Sequence, residues 1–423
     1  MIRRSCFTLL IMLFGASWGL PVALAKQEAG VPDRKFQKEI DKAIAKGAKW
    51  LRGVQQRSGA FGAVTHRKEA HYEIGTSALA GLALLAAGDK AGDKSVDGVL
   101  AQCRKLDKLR GQAGSRTTYD TSTLIMFVVE YYKPKQKKPR GRRGKSVERK
   151  AAQNPCELPD DVKAWVRDMA TWLASQQKDT GGWGYPIHRE DFSNTQYALL
   201  GLRAARDCGV KIAPTVFLKT LERALALQET EGPKVPRSLA PDRPGGTIYK
   251  INAGDRARGW PYRESEGSAT GSMTSAGIAI IAICHDALLK PRRFPPYAKS
   301  LQNKAAQAMQ DGFAWLETNW TLERNPGANA PNWHFYYLYG LERAGVLGGR
   351  NYIGERDWYL LGARYLVDEQ AADGRWSTGA LGTDEYEASD ALDTAWAILF
   401  LKRATRPGKP LEPPVVTDTE GGG

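Results

Sequence analysis

A phrase recurs along this chain: an aromatic-Leu pair, a Gln four or five residues on, then Gly and an aromatic residue. It reads Trp50-Leu51 to Gln55 and Gly59-Ala60-Phe61, then Trp172-Leu173 to Gln176 and Gly182-Trp183, then Tyr365-Leu366 to Gln370 and Gly374-Arg375-Trp376. A chain made of one recurring supersecondary unit buries its core by stacking copies, so the repeat limits the fold more tightly than length does.

A second phrase follows each first one, a Thr or Ser entering a helix rich in Ala, Leu and Ile. The copies start at Gly75-Thr76-Ser77, Asp120-Thr121-Ser122, Ser193-Asn194-Thr195, Ser272-Met273-Thr274-Ser275 and Asp393-Thr394-Ala395; a sixth, from Asn332 to Tyr337, lacks the Thr. The small polar residues read as N-caps, and Gly88, Gly209 and Gly345 as C-terminal stops. The first helix of each pair is amphipathic, as in 36–56, 161–177 and 303–319, whereas its partner, as in 275–283, is apolar all round. A helix apolar on every side must be enclosed, and an outer ring of half-wet helices around an inner ring of buried ones satisfies both patterns. The expected fold is all-α, an (α/α)6 toroid of six helix pairs over 26–404. With 42% hydrophobic residues and 12 Trp there is ample material for one large core.

Arg3-Arg4 ahead of the apolar run 7–20, with Ala23-Leu24-Ala25 behind it, predicts a signal peptide at 1–25 and an exported protein (periplasm, envelope or beyond). No later segment reads as a membrane span. Cys103, Cys156, Cys208 and Cys284 are far apart without a Cys-x-x-Cys pair, so no zinc knuckle is expected; buried thiols and a disulfide both stay open. The net charge of +15 is concentrated in 133–150, where ten Lys and Arg accompany one Glu. That composition cannot build a core and predicts a disordered insertion over about 133–158, a solvated linker or a dock for an acidic envelope polymer, an anionic membrane or an acidic partner. Nucleic acid is excluded as a partner by the expected export. A second insertion is expected near 230–258 and a disordered tail over 405–423.

The Gln-to-Trp phrases on outer helices, with Thr-led inner helices, resemble the repeats of the squalene cyclase and protein prenyltransferase superfamily over about 36–402. The resemblance implies the toroid, and implies that Gln and Trp side chains bond between neighbouring outer helices, making Trp50, Trp183, Trp260 and Trp376 scaffold. Cyclases of this type start from a protonated middle acid in Asp-x-Asp-Asp-Thr. The matching stretch here is Asp390-Ala391-Leu392-Asp393-Thr394, with Leu392 where the proton donor would stand. Asp390 and Asp393, three residues apart at a helix N-terminus, are expected to cap it, with their carboxyl pKa lowered by the dipole; a reactive-acid role is the competing reading. Prenyltransferases need zinc held by Asp, Cys and His, and His66, His71, His188, His285 and His334 show no such spacing. No metal or other cofactor is expected.

If all six inner helices run the same way, their N-termini converge on one mouth, where their dipoles favour an anion or polar headgroup. The entry loops there carry Arg67, Arg116, Arg189 and Arg263 beside His71, Tyr119, Asp191 and Glu264. Tyr119, Trp333, His334, Tyr336, Tyr337 and Trp396 are the candidate cavity lining, in competition with plain core packing. Two function classes remain. One is an exported binding protein that takes an isoprenoid, another lipid or an extended ligand in the central cavity. The other is an enzyme on an isoprenoid-like or carbohydrate substrate, using Asp390, Asp393, Asp120 or His71. A polysaccharide lyase with a calcium cage finds no matching cluster in the sequence.

Overall fold

A computed structural model describes residues 29–61, 64–66, 69–133, 156–185, 189–239, 246–289, 297–327, 333–378, 390–409, 411 and 413. The expected signal peptide, nearly all of the basic segment and the last residues of the tail lie outside them.

Twelve α-helices are found among the described residues. Six are amphipathic: α1 (Arg34–Val54), α3 (Lys94–Gln112), α5 (Asp160–Ser175), α7 (Pro214–Leu227), α9 (Lys299–Thr318) and α11 (Trp358–Asp368). Each precedes an apolar partner: α2 (Glu73–Ala87), α4 (Thr118–Tyr132), α6 (Phe192–Asp207), α8 (Gly271–Leu288), α10 (His334–Leu347) and α12 (Asp390–Leu401). The inner helices pack in the order α2, α4, α6, α8, α10, α12 and back to α2, a closed ring, with the amphipathic helices outside. The chain is an all-α (α/α)6 toroid. Helix α8 is apolar and long enough to cross a membrane, and its complete burial in the ring accounts for that composition.

The repeated phrase is the joint between neighbouring outer helices. Gln55 Nε2 donates to Gly59 O (2.9 Å) in its own turn and to Ser95 O (2.8 Å) of α3. Gln177 does the same to Gly181 O and Val216 O of α7, and Gln228 to Arg258 O and Ala308 O of α9. Gln370 reaches Gly374 O and, across the seam, Ala43 O of α1, both at 2.8 Å, which closes the outer ring. A side-chain amide has two N–H donors, enough for one bond at home and one next door. The turn must come close to the neighbouring helix. Gly374 therefore has φ +101°, and a Cβ there would lie 2.7 Å from Lys46 O.

Beneath each turn an indole is buried. Trp183, Trp260 and Trp376 are fully enclosed and donate Nε1–H to Leu173 O, Ala224 O and Leu366 O, each at 2.7 Å. Trp50 is half-buried and packs against the core, with no indole bond among those described.

Several expectations change. Gln177, not Gln176, is the joint, because it stands four residues after Leu173 as Gln55 does after Leu51 and Gln370 after Leu366. The Thr and Ser of the second phrase are not caps. They sit inside the inner helices, where Ser77, Thr195, Thr274 and Thr394 accept from the backbone N–H of Phe61, Trp183, Trp260 and Trp376. Those N–H groups are buried and need an acceptor. Gly345 is not a stop either: it lies within α10, and a Cβ there would meet the Trp358 indole at 2.3 Å.

Among the described residues four two-stranded antiparallel hairpins decorate the loops: β1–β2 (Val64–His66 with Glu69–His71), β3–β4 (Trp183–Gly184 with Glu190–Asp191), β5–β6 (Arg237–Leu239 with Tyr249–Ile251) and β7–β8 (Tyr352–Ile353 with Arg356–Asp357). The second expected insertion holds β5–β6 and a buried Arg237–Asp255 ion pair. At the start of the expected tail, Thr405 to Pro407 is fastened to the body. Glu342 accepts from Thr405 N and Oγ1, and Arg203 donates to Arg406 O and Pro407 O.

Candidate functional site

Each inner helix follows its outer partner, so all six start from one end of the toroid. Hairpin β3–β4 shapes that mouth above α6. Trp183, fixed by its indole bond, pairs with Asp191, and β4 then delivers Glu190 and Asp191 directly to the α6 N-terminus. Asp191 caps that helix, accepting from Asn194 N at 2.7 Å and from Asn194 Nδ2 at 2.8 Å. It is 2% exposed. Burial drives its carboxyl up to about 6, against the opposing pull of the Asn194 bonds, Arg263 and Tyr262. The N-terminal dipole and cap would lower this acid; loss of hydration is the larger effect.

Asp191 lies on the wall of a cavity of about 780 Å³ with Lys178, Thr180, Arg189, Glu190, Phe192, Thr195, Arg223, Leu227, Tyr262, Arg263, Glu264 and Ser265. Arg223 of α7 pairs with Glu190 and reaches Glu264 at 2.8 Å. Arg263 lies over the Tyr262 ring, 5.0 Å from its centroid, and its buried Nε has no hydrogen-bond partner. The wall thus alternates guanidinium and carboxylate around a small aromatic and aliphatic floor. That chemistry suits a ligand with many hydroxyls or an anionic substituent.

From this rim a polar chain descends into the barrel. Ser193 Oγ and Tyr336 OH are 3.0 Å apart, Tyr336 OH donates to Gln196 Oε1 (3.3 Å), and Arg343 Nη2 donates to the same oxygen (2.9 Å). Arg343 is fully buried, stacks 4.0 Å from the Tyr339 ring centroid, and leaves Nε and Nη1 without hydrogen-bond partners. A buried guanidinium on a wall of tyrosine rings gains cation–π attraction in place of water. The neighbouring Glu342 faces the other way to Thr405, and burial raises its carboxyl to about 7.

The structure brings Tyr119, Tyr336, Trp333 and Trp396 to this axis. Tyr119 packs edge-on to Tyr197 at 4.9 Å, Tyr197 stacks on Tyr336, and Tyr336 meets Trp396 at 5.4 Å and Trp333 at 6.4 Å. Tyr197, Tyr336 and Trp396 are buried, with Tyr119 half-buried against them, so here they fill the axis. His334 and Tyr337 turn elsewhere: His334 Nε2 bonds Leu322 O at 2.6 Å and its ring faces Tyr365, while Tyr337 OH donates to Thr321 O. Burial lowers the His334 pKa.

The four candidate acids and bases separate. Asp120 is a staple, accepting from Gly75 N (2.7 Å) and Thr117 Oγ1 (3.0 Å) and pairing with Arg110, which joins α4, α2 and α3. Its carboxyl is raised by burial, with Arg110 the main opposing influence. His71 ends β2 opposite Val64, and its side chain is outside the described residues. Asp390 accepts from Ser377 Oγ at 2.5 Å and lies 3.5 Å from Arg375 Nε. Asp393 accepts from Thr378 N and Oγ1 through Oδ2, leaving buried Oδ1 without a partner. The expected lowering of Asp393 is reversed: burial lifts it to about 7, since the dipole's benefit is smaller than the loss of water. Both acids tie the 375–378 loop to α12. Leu392 is buried beside them and carries no proton.

Of the expected mouth residues, Arg189, Asp191, Arg263 and Glu264 line the rim cavity. Arg116 instead pairs with Asp107 and Asp168, joining α3 to α5. Arg67 is outside the described residues. Sequence reading missed Glu190, Arg223, Tyr262, Gln196, Arg343 and Glu342. Glu342-Arg343, a charged pair inside an otherwise apolar inner helix, was the visible signal for the last two. Among the described residues no group of three or more His, Cys, Asp or Glu is placed to hold a metal.

Comparison with known proteins gives the class, an (α/α) toroid protein. A possible member of the GH105 family from Klebsiella pneumoniae matches with TM-score 0.53 at 12% identity, over 92% of this chain and 99% of that one. The GH76A alpha-1,6-mannanase of Salegentibacter matches with TM-score 0.49 at 10% identity, over 86% and 99%. The type II terpene cyclase MstE of Scytonema, in complex with geranylgeranyl dihydroxybenzoate, matches with TM-score 0.48 at 10% identity, over 88% and 98%. No protein-family model matches the chain, and no curated protein matches it.

Proposed function

We propose that the protein is an enzyme acting on a hydroxyl-rich, carbohydrate-like substrate held in the rim cavity, with Asp191 as its general acid. The observation that carries this is a deeply set carboxyl, poised near pH 6, on the wall of a roomy cavity otherwise lined by arginines and carboxylates. A carboxyl of that acidity can hold a proton and release it to a leaving oxygen near neutral pH. Glu190 on the same wall supplies the second carboxylate that acid-assisted cleavage of a glycosidic bond uses. Arg189, Arg223 and Arg263 grip hydroxyls or an acidic substituent. Export, proposed from the N-terminal apolar run, would put such an enzyme among envelope or extracellular polymers.

A second reading is supported by a smaller cavity at the opposite end of the inner ring. It measures about 250 Å³, with Leu82, Ala86, Met126, Val129, Leu200 and Leu399 on its apolar side and Glu130, Arg203, Asp207, Lys402 and Arg406 on its charged side. It suits a short ligand with an apolar body and a polar head, being below the range of about 300–1,000 Å³ usual for ligand pockets, and a long isoprenoid would not fit it.

Release of reducing ends from a panel of neutral and uronic polysaccharides tests the first reading. Asp191→Asn, which keeps an acceptor for Asn194 N, should lower kcat by about 100-fold or more and abolish a kinetic pKa near 6, with the melting temperature at neutral pH unchanged or raised because a buried charge is removed. Unchanged turnover in Asp191→Asn, or no cleavage of any panel member, would contradict it.

A further inference from the structure

The four cysteines of the described chain fall into two kinds. Cys103 and Cys284 are fully buried, and loss of water pushes their thiols far up. Such thiols are inert. Cys156 and Cys208 differ. Cys156 stands where the chain rejoins the body after the basic segment, and its backbone N–H donates to Asp207 O at 3.3 Å, laying it alongside the C-terminal cap of α6. That bond sets the Cys156 side chain beside Cys208, the residue after Asp207, and each thiol perturbs the other. Arg406 and Lys133 flank the pair, both held by Glu130, at 2.5 and 3.8 Å. Cys156 is 9% exposed and Cys208 2%, so an oxidant reaches Cys156 first.

We propose that Cys156 and Cys208 are a dithiol site that oxidises to an intramolecular disulfide by exchange with a disulfide donor, pinning the end of the basic segment to helix α6. The neighbouring Cys208 and the Arg406 and Lys133 charges lower the Cys156 pKa and favour its thiolate, while Cys208 is driven up. The Cys156 thiolate attacks one sulfur of the donor, forming a mixed disulfide and expelling one donor thiolate, which takes up a proton. Cys208 then loses its proton and attacks the Cys156 sulfur. The second donor thiolate leaves and is protonated. Two electrons and two protons have passed to the donor, which ends as two thiols. The cross-link closes a loop of about 50 residues, long enough to remove substantial freedom from the unfolded chain. It is independent of the activity proposed at the other end of the barrel.

The test uses the whole protein. It is reduced, incubated with oxidised glutathione, unfolded, alkylated and mapped by peptide mass spectrometry. A 156–208 linked peptide 2 Da lighter than its two thiol halves is expected, with Cys103 and Cys284 alkylated. The oxidised protein should melt about 5 °C above the reduced one. The Cys156→Ser protein should show no such difference. Alkylation of both Cys156 and Cys208 after oxidation, or glutathione left on Cys156, would overturn the proposal.

Discussion

At the scale of single residues, burial overrides the local rules on which sequence reading relies. Asp393 and Asp191 stand at helix N-termini, where dipole and capping lower a carboxyl pKa, yet both are raised because almost no water reaches them. Position along the chain showed the helix ends; depth in the ring could not be read from three flanking residues. The consequence for stability has a definite sign. A carboxyl whose folded pKa is about 7, against about 4 when unfolded, favours the fold at low pH, and that benefit disappears as pH rises from about 4 through 7. The wild-type melting temperature should therefore fall from pH 5 to pH 8, with Glu342 and Asp191 adding to the slope. Asp393→Asn keeps an acceptor for Thr378 and removes the buried charge. It should flatten that slope and gain on the order of 2 kcal/mol at pH 8. Thermal melts at the two pH values check this; an unchanged slope in the variant would show that Asp393 does not titrate there.

The same distinction between pattern and depth holds for elements. The outer helices, the inner helices and the Gln–Gly–Trp turns were legible because each repeats at fixed spacing from a buried Leu or Ala. The hairpins were not, since two- and three-residue strands leave no periodicity, and β3–β4 is the one that builds the rim cavity. The hydroxyls of Ser77, Thr195, Thr274 and Thr394 were visible but misassigned: a small polar residue ahead of an apolar run fits a cap, while their true partners are backbone N–H groups 12–18 residues upstream. The adjacent Gln176 and Gln177 provide an internal control. Gln176 Nε2 bonds only the exposed hydroxyl of Ser175 among the described bonds, whereas Gln177 joins α5 to α7. Gln177→Ala should cost about 1–3 kcal/mol, because it removes the amide's bonds to Gly181 O, Val216 O and Thr220 Oγ1 across the joint, and Gln176→Ala should cost under about 0.5 kcal/mol. Equal losses in chemical denaturation would mean that the amide joints do not hold the outer ring.

For the whole molecule, closure is what turns a repeat into a site. Gln370 reaching Ala43 and α12 packing on α2 bring the last pair against the first, so the six inner N-termini share one mouth. The sequence showed that such a mouth exists and gave four of its cavity residues, Arg189, Asp191, Arg263 and Glu264. It did not show that the axis behind it is filled by Tyr197, Tyr336, Trp396 and Arg343, which moves the open space from the centre to the rim between α6 and α8. The ligand position is therefore the most direct measurement of function. Crystals of the protein soaked with short neutral and uronic oligosaccharides should show sugar between Arg189, Asp191, Arg223 and Arg263. Sugar bound only outside that rim, or an apolar ligand occupying the far cavity beside Leu200 and Leu399 while the rim stays empty, would contradict the assignment.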